Sequence, residues 1–208
     1  MLKIQISTKR LLKEFKLSFS VWLLFLGILC YFVFWYNKGF LNLYFSNNYS
    51  KTLGLFFKYF TFLGEEWLIL SICLIIYILL KRNDFLIKTF LTLLINFILT
   101  KISKNYLFDS LRPSKFFENK NLIFTEGVNI HQYNSFPSGH TSTAFAIAFF
   151  LIFYFKFNKS GIILIFLAVL VGISRIYLQQ HFAEDIIGGS IIGLISAMVT
   201  NSIIIKKT

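Results

Sequence analysis

Apolar runs approaching the length of a lipid bilayer recur six times along the chain, at 19–36, 62–80, 85–102, 141–157, 161–178 and 183–205. A helix needs about 20 such residues to cross the hydrocarbon core. This pattern admits few folds. With 56% hydrophobic and 14% charged residues and a mean hydropathy of +0.69, a soluble domain of this length could not hide its apolar side chains from water. The expectation is an all-α integral membrane bundle of six transmembrane helices, its domain spanning 19–205 behind a basic N-terminal segment, 1–18. The four-residue link Lys81-Arg82-Asn83-Asp84 predicts antiparallel neighbours on either side of it.

The net charge of +12 would point to nucleic acid in a soluble protein. Here the basic residues flank apolar segments, so they read as topology signals and headgroup contacts. Nucleic acid is not an expected partner; the bilayer is. Lys3, Lys9, Arg10, Lys13, Lys16, Lys81, Arg82, Lys88, Lys156, Lys159, Lys206 and Lys207 fall on the side of the N-terminus. Both termini are therefore expected in the cytoplasm, with the first span a retained anchor and the protein in the inner membrane of a bacterium. Cys30 and Cys73 sit inside apolar runs and read as packing residues, not a disulfide or metal ligands.

Against this background a few polar residues stand out. Ser174-Arg175 is followed after five residues by His181 and after three more by Asp185. His181 and Asp185 are one helical turn apart, so a carboxylate can grip one ring nitrogen and leave the other open for nucleophilic work. A polar pair at a helix start is the plainer alternative. Arg175, flanked by apolar sequence, argues against it, because an intramembrane charge is functional by default.

Pro137-Ser138-Gly139-His140 opens the fourth span, and the long polar loop 103–136 before it carries Lys104 and Arg112-Pro113. On the six-span plan all these segments reach the same, outer membrane face. Arginine and lysine suit an anion with several oxygens, above all phosphate. Ser138 and Gly139 at a helix start offer backbone N–H groups and the positive end of a dipole. His181 then suits attack on phosphorus, and His140 suits proton transfer to the leaving oxygen. Guanidinium groups can carry the transition-state charge, and no acidic cluster or Cys/His spacing for a metal is present, so neither metal nor cofactor is expected.

These residues resemble the motifs of the type 2 phosphatidic acid phosphatase superfamily, which also includes vanadium haloperoxidases. Its second motif, Pro-Ser-Gly-His, is present whole at 137–140, and its third, Ser-Arg-x5-His-x3-Asp, at 174–185. The first, Lys-x6-Arg-Pro, departs: Asn105 stands where the lysine belongs, and Lys104 lies one residue earlier. The resemblance implies a catalytic set of His181, His140 and Asp185. It implies phosphate binding by Arg112, Ser138, Gly139 and Arg175, with Lys104 in the lysine role and Lys101 and Lys115 as rivals. It further implies metal-independent dephosphorylation of a membrane lipid through a phosphohistidine. Candidate substrates are phosphatidic acid, phosphatidylglycerol phosphate, an isoprenyl diphosphate and lipid A. A lipid phosphotransferase is the nearest alternative, and a non-enzymatic transporter or assembly factor is the alternative of another class. The oligomeric state is open.

Glu65 and Glu66, near the outer end of the second span, read either as a buttress to the site or as interface residues. His131 and Tyr133 read as solvated loop residues. Gly189-x3-Gly193 reads as a close contact within the bundle.

Overall fold

The computed structural model describes residues 15–203. The basic cluster Lys3, Lys9, Arg10 and Lys13, and the terminal Lys206 and Lys207, lie outside them, as does the end of the sixth apolar run. Helices α1 (Lys16–Trp35), α2 (Phe40–Asn47) and α3 (Lys51–Phe60) lead through a 3₁₀ turn, Thr61–Gly64, into α4 (Glu66–Leu80). Then come α5 (Asn83–Ile102), a π turn (Ser103–Leu107), the short α6 (Pro113–Phe116), α7 (Gly139–Phe155), α8 (Gly161–Tyr177) and α9 (Ala183–Ser202).

The fold is all-α, as expected, but its spans are less uniform than six even apolar runs. Lys16–Trp35, Asn83–Tyr106 and Ala183–Ser202 are each long and apolar enough to cross a membrane. A fourth candidate is the pair Lys51–Gly64 and Glu66–Leu80, bent by 60° at the turn between them. Helices α7 and α8 are apolar but have 17 residues each. The break falls at Glu65, whose extended backbone separates the 3₁₀ turn from α4, inside what reads as one span at 62–80.

Helix α7 is the centre of the molecule. It packs most extensively on α9, then on α8 and α5, and Phe145, Phe149 and Ile152 on it are fully buried. Small residues let the backbones approach, which is how helices associate where lipid supplies no hydrophobic drive. A Cβ on Gly193 would stand 2.6 Å from the Ser142 carbonyl oxygen, and one on Gly189 2.7 Å from that of Ser138. The glycine pair of α9 thus seats that helix on α7. Polar side chains add specific ties: Asn96 of α5 donates to Thr143 Oγ1 at 3.2 Å and accepts from Ser142 Oγ. On the opposite flank Phe19 and Trp22 of α1 meet Phe149. Cys73 is buried, Cys30 is half-buried, and both are free thiols.

Leu24, Phe34, Trp35, Ile75, Leu79, Phe90 and Ile163 remain exposed on the outside of the bundle. An apolar belt of this kind belongs against lipid.

Candidate active site

The end of the bundle that gathers the starts of α7 and α9 with the ends of α5 and α8 holds the polar residues. At its centre is His181, in the link between α8 and α9 and only 2% exposed. Its Nδ1 lies 3.2 Å from Asp185 Oδ2. The same carboxylate oxygen accepts from Ser135 Oγ at 2.5 Å and from the Phe182 N–H at 2.8 Å. Three donors on one oxygen fix the carboxylate, and the carboxylate fixes the imidazole with Nε2 turned out for chemistry. Burial first, then the charges of Arg112, Arg175, Lys104 and His140, hold the His181 pKa well below its ordinary 6.5. Burial, the largest of these influences, favours the uncharged ring.

The link that carries His181 is held from afar. Gln179 adopts a left-handed backbone conformation, φ 58°, uncommon for a residue with a side chain. Its amide exchanges two hydrogen bonds with Asn42 of α2, donating to the Asn42 carbonyl at 2.9 Å and accepting from Nδ2 at 3.2 Å. Asn42 Nδ2 also donates to the His181 carbonyl at 3.1 Å.

Around His181 stand the cationic groups. Arg112 is buried; Nε donates to the Tyr133 carbonyl at 3.0 Å and Nη1 to the Gln180 carbonyl at 3.2 Å. Arg175 is buried at the end of α8, with Nη1 on Thr61 Oγ1 at 3.0 Å. Its Nε has no hydrogen-bond partner among the described residues. Lys104 donates to the Asn134 carbonyl at 3.3 Å, near enough to Arg112, Arg175 and Asp185 for their charges to interact. It lies within the π turn. A π turn accommodates one residue more than the α-helix it interrupts, which accounts for a lysine one place earlier than the motif spacing. Of the rivals, Lys101 is exposed, and Lys115 is paired with Glu118 outside the cluster.

Ser138 caps α7 and its N–H donates to the Asp185 carbonyl at 3.0 Å, joining the two motif segments directly. A Cβ on Gly139 would meet nothing within 4 Å; the backbone there faces open space, as a cradle for an anion requires. His140, at the next position, has Nε2 2.8 Å from Glu65 Oε1. The structure therefore brings together all eight expected residues. Sequence reading missed Ser135, Thr61, Gln179, Gln180 and Asn42, which are isolated polar letters with no spacing to mark them. It left Glu65 undecided between two roles.

Comparison with known proteins bears on what such a cluster belongs to. Residues 85–208 match the family model described as the PAP2 superfamily. The Bacitracin transport permease protein BcrC of Bacillus licheniformis is 30% identical over 158 residues, 74% of this chain and 74% of that one. Phosphatidylglycerophosphatase B of Bacillus subtilis is 44% identical over 70 residues, 29% of this chain and 34% of that one. Among solved structures, the transmembrane PAP2 type phosphatidylglycerolphosphate phosphatase from Bacillus subtilis superposes with a TM-score of 0.63 at 27% identity, covering 88% of this chain and 93% of that one. The matched segment begins in the first turn of α5 and runs on from there, hence includes every motif residue. By that match and that fold, the chain belongs to the PAP2 superfamily, among its membrane-embedded lipid phosphatases.

Proposed function

We propose that the protein removes phosphate from a membrane lipid phosphate or diphosphate, without a metal, through a phosphohistidine on His181. The observation that carries this reading is the buried His181–Asp185 pair, 3.2 Å apart, with Arg112, Arg175 and Lys104 close enough for their charges to act on it. Arg112, Arg175, Lys104 and the N–H groups at Ser138 and Gly139 bind the phosphate oxygens and take up the charge that grows on them in the transition state. Nε2 of His181 attacks phosphorus as the bond to the lipid oxygen breaks, and His140 gives that oxygen its proton. Water then attacks the phosphohistidine, the P–N bond breaks, and the water's proton returns to His140.

A lipid substrate is supported by an apolar cavity of about 240 Å³ between α4, α7 and α8. Ala144 and Ala148 follow His140 at helical spacing on α7, Val171 and Ala168 precede Arg175 on α8, and all four line it with Ile69 and Cys73. Faces that carry catalytic groups at their outer end thus continue inward as a hydrocarbon-lined slot. The phosphatidylglycerol phosphate phosphatases among the relatives support that lipid as a candidate, and an undecaprenyl-diphosphatase of Bacillus subtilis supports a prenyl diphosphate equally. We further assign six crossings, counting the bent pair as one and including α7 and α8. Lys81, Arg82, Lys156 and Lys159 lie at the end opposite the site, which supports a cytoplasmic placement of that end and a site at the outer leaflet.

A bent helix pair is the kind of feature a transporter uses. Here the bend supplies partners to Arg175 and His140 at helix ends, which favours an enzyme. A phosphotransferase would share the intermediate and differ only in the acceptor. Purified protein incubated in EDTA with phosphatidic acid, phosphatidylglycerol phosphate and a prenyl diphosphate is expected to release inorganic phosphate from at least one. Transfer of labelled phosphate to a lipid alcohol instead would establish the phosphotransferase, and loss of activity in EDTA would overturn the metal-free reading.

A further inference from the structure

The turn between α3 and α4 is built against His140. A Cβ on Gly64 would stand 2.7 Å from the His140 carbonyl oxygen and 2.9 Å from the His140 Cβ, so only a glycine lets the chain pass. The turn delivers two side chains to the site, Thr61 to Arg175 at 3.0 Å and Glu65 to His140 Nε2 at 2.8 Å. Glu65 lies outside the stretch 85–208 that matches the family model.

The site thus contains two imidazole–carboxylate pairs of opposite sense. Asp185 holds Nδ1 of His181, which leaves Nε2 to react; Glu65 holds Nε2 of His140, which leaves Nδ1. Beside the second pair is a cavity of about 290 Å³ with a mixed lining, in which Glu65, His140, Arg175 and Lys58 meet Phe62 and Leu178. It provides room for water next to the ring that must exchange protons.

We propose that Glu65 is the positioning residue of the acid–base histidine: it fixes the Nε2–H tautomer of His140, so that Nδ1 carries the mobile proton, and it offsets the imidazolium charge. The proposal rests on the reading of His140 as the acid–base group. In the first step the Nδ1 proton moves to the lipid oxygen as its bond to phosphorus breaks, leaving a neutral ring with Nε2–H still on Glu65. In the second step Nδ1 takes a proton from the attacking water, and the imidazolium is restored. Arg175 from α8 and Lys104 from the end of α5 act on His140 as cations, and Lys58 and His131 line the adjoining cavity. Glu65 opposes them, with Glu66 beside it.

The experiment uses the full-length protein in detergent with Glu65→Gln, Glu65→Asp and Glu65→Ala, assayed on dioctanoyl phosphatidic acid and on p-nitrophenyl phosphate. With the lipid substrate, Glu65→Ala is expected to lower kcat by about 10²-fold, the usual worth of a general acid, with KM little changed. Glu65→Asp recovers part of the loss. In Glu65→Gln the basic limb of the kcat/KM profile moves to lower pH, because the amide keeps the hydrogen bond but not the charge. With p-nitrophenyl phosphate, whose leaving group departs as a stable anion, kcat/KM is nearly spared. An unmoved basic limb together with equal losses on both substrates would mean a structural role and overturns the proposal, as would a gain in activity. If the unaltered protein releases phosphate from neither substrate, or if His140→Asn retains full activity, the functional reading itself has failed, an outcome distinct from failure of the Glu65 assignment alone.

Discussion

Asn42 and His181 are 139 residues apart in the chain, yet the Asn42 amide donates to the His181 carbonyl at 3.1 Å. The short helix α2 therefore acts as a support for the catalytic link. Asn42 is fully buried and its second amide hydrogen serves Gln179 Oε1 at 3.2 Å, so truncation leaves buried acceptors on His181 and Gln179 without a partner. Asn42→Ala is expected to cost about 2–3 kcal/mol of stability, since each orphaned group costs about 1–3 kcal/mol. Activity should fall more than binding, because the link no longer holds His181 in line. Thermal unfolding in detergent together with kcat and KM checks this; an unchanged kcat would remove α2 from the account.

Ser135 offers a gentler perturbation of the same dyad. Its hydroxyl and the Phe182 N–H share the Asp185 oxygen that faces His181. Hydrogen bonds to a charged group are worth about 1.5–3 kcal/mol, so Ser135→Ala should reduce kcat by roughly 10-fold or more and leave lipid binding intact. A variant with the activity of the parent would show that the backbone N–H alone orients Asp185.

Acidification probes His181 through stability. An unfolded histidine takes up a proton near pH 6.5, whereas the folded protein resists protonation of His181, buried among cations, to well below that value. Above that pH the ring is neutral in both states and contributes nothing. As pH falls below it the unfolded state binds a proton that the native state refuses, so stability declines. His181→Asn removes this contribution. Its Tm should fall less between pH 7.5 and pH 5.5, a window set about the unperturbed value, than the Tm of the parent. Equal decreases would mean that His181 protonates freely in the folded protein.

The cluster of Arg112, Arg175 and Lys104, with an Arg175 Nε that lacks a partner among the described residues, is a site of concentrated positive charge. An anion that binds only the native state raises Tm by mass action. Orthovanadate and inorganic phosphate should stabilise the protein where chloride at equal ionic strength does not, and Arg175→Gln should abolish most of the difference. A salt effect blind to the anion's identity would contradict a phosphate-shaped site.

These predictions also show where sequence reasoning stopped. His140, His181, Asp185, Ser138 and Arg175 were legible because the proposed chemistry calls for them at spacings set by a helix start or a helical turn, and spacing survives in one dimension. Lys104 falls one place off the motif spacing within a π turn, a feature that a letter string does not reveal. Glu65, Thr61, Ser135 and Asn42 each come from an element that meets the site across the bundle, so nothing in their own neighbourhood marks them. The span count was blurred for a related reason. Hydropathy reports where lipid is tolerated, whereas the 60° bend between Gly64 and Glu66 lies where the chain passes close against His140.

The covalent intermediate is the claim on which the chemistry depends. Rapid acid-free quenching of the protein with a lipid phosphate labelled in its phosphoryl group should trap a phosphoenzyme that is stable to alkali, labile to acid, and mapped to the peptide containing His181. It should be absent from His181→Ala. A label on another residue, or full turnover by His181→Ala, would contradict nucleophilic catalysis by this imidazole.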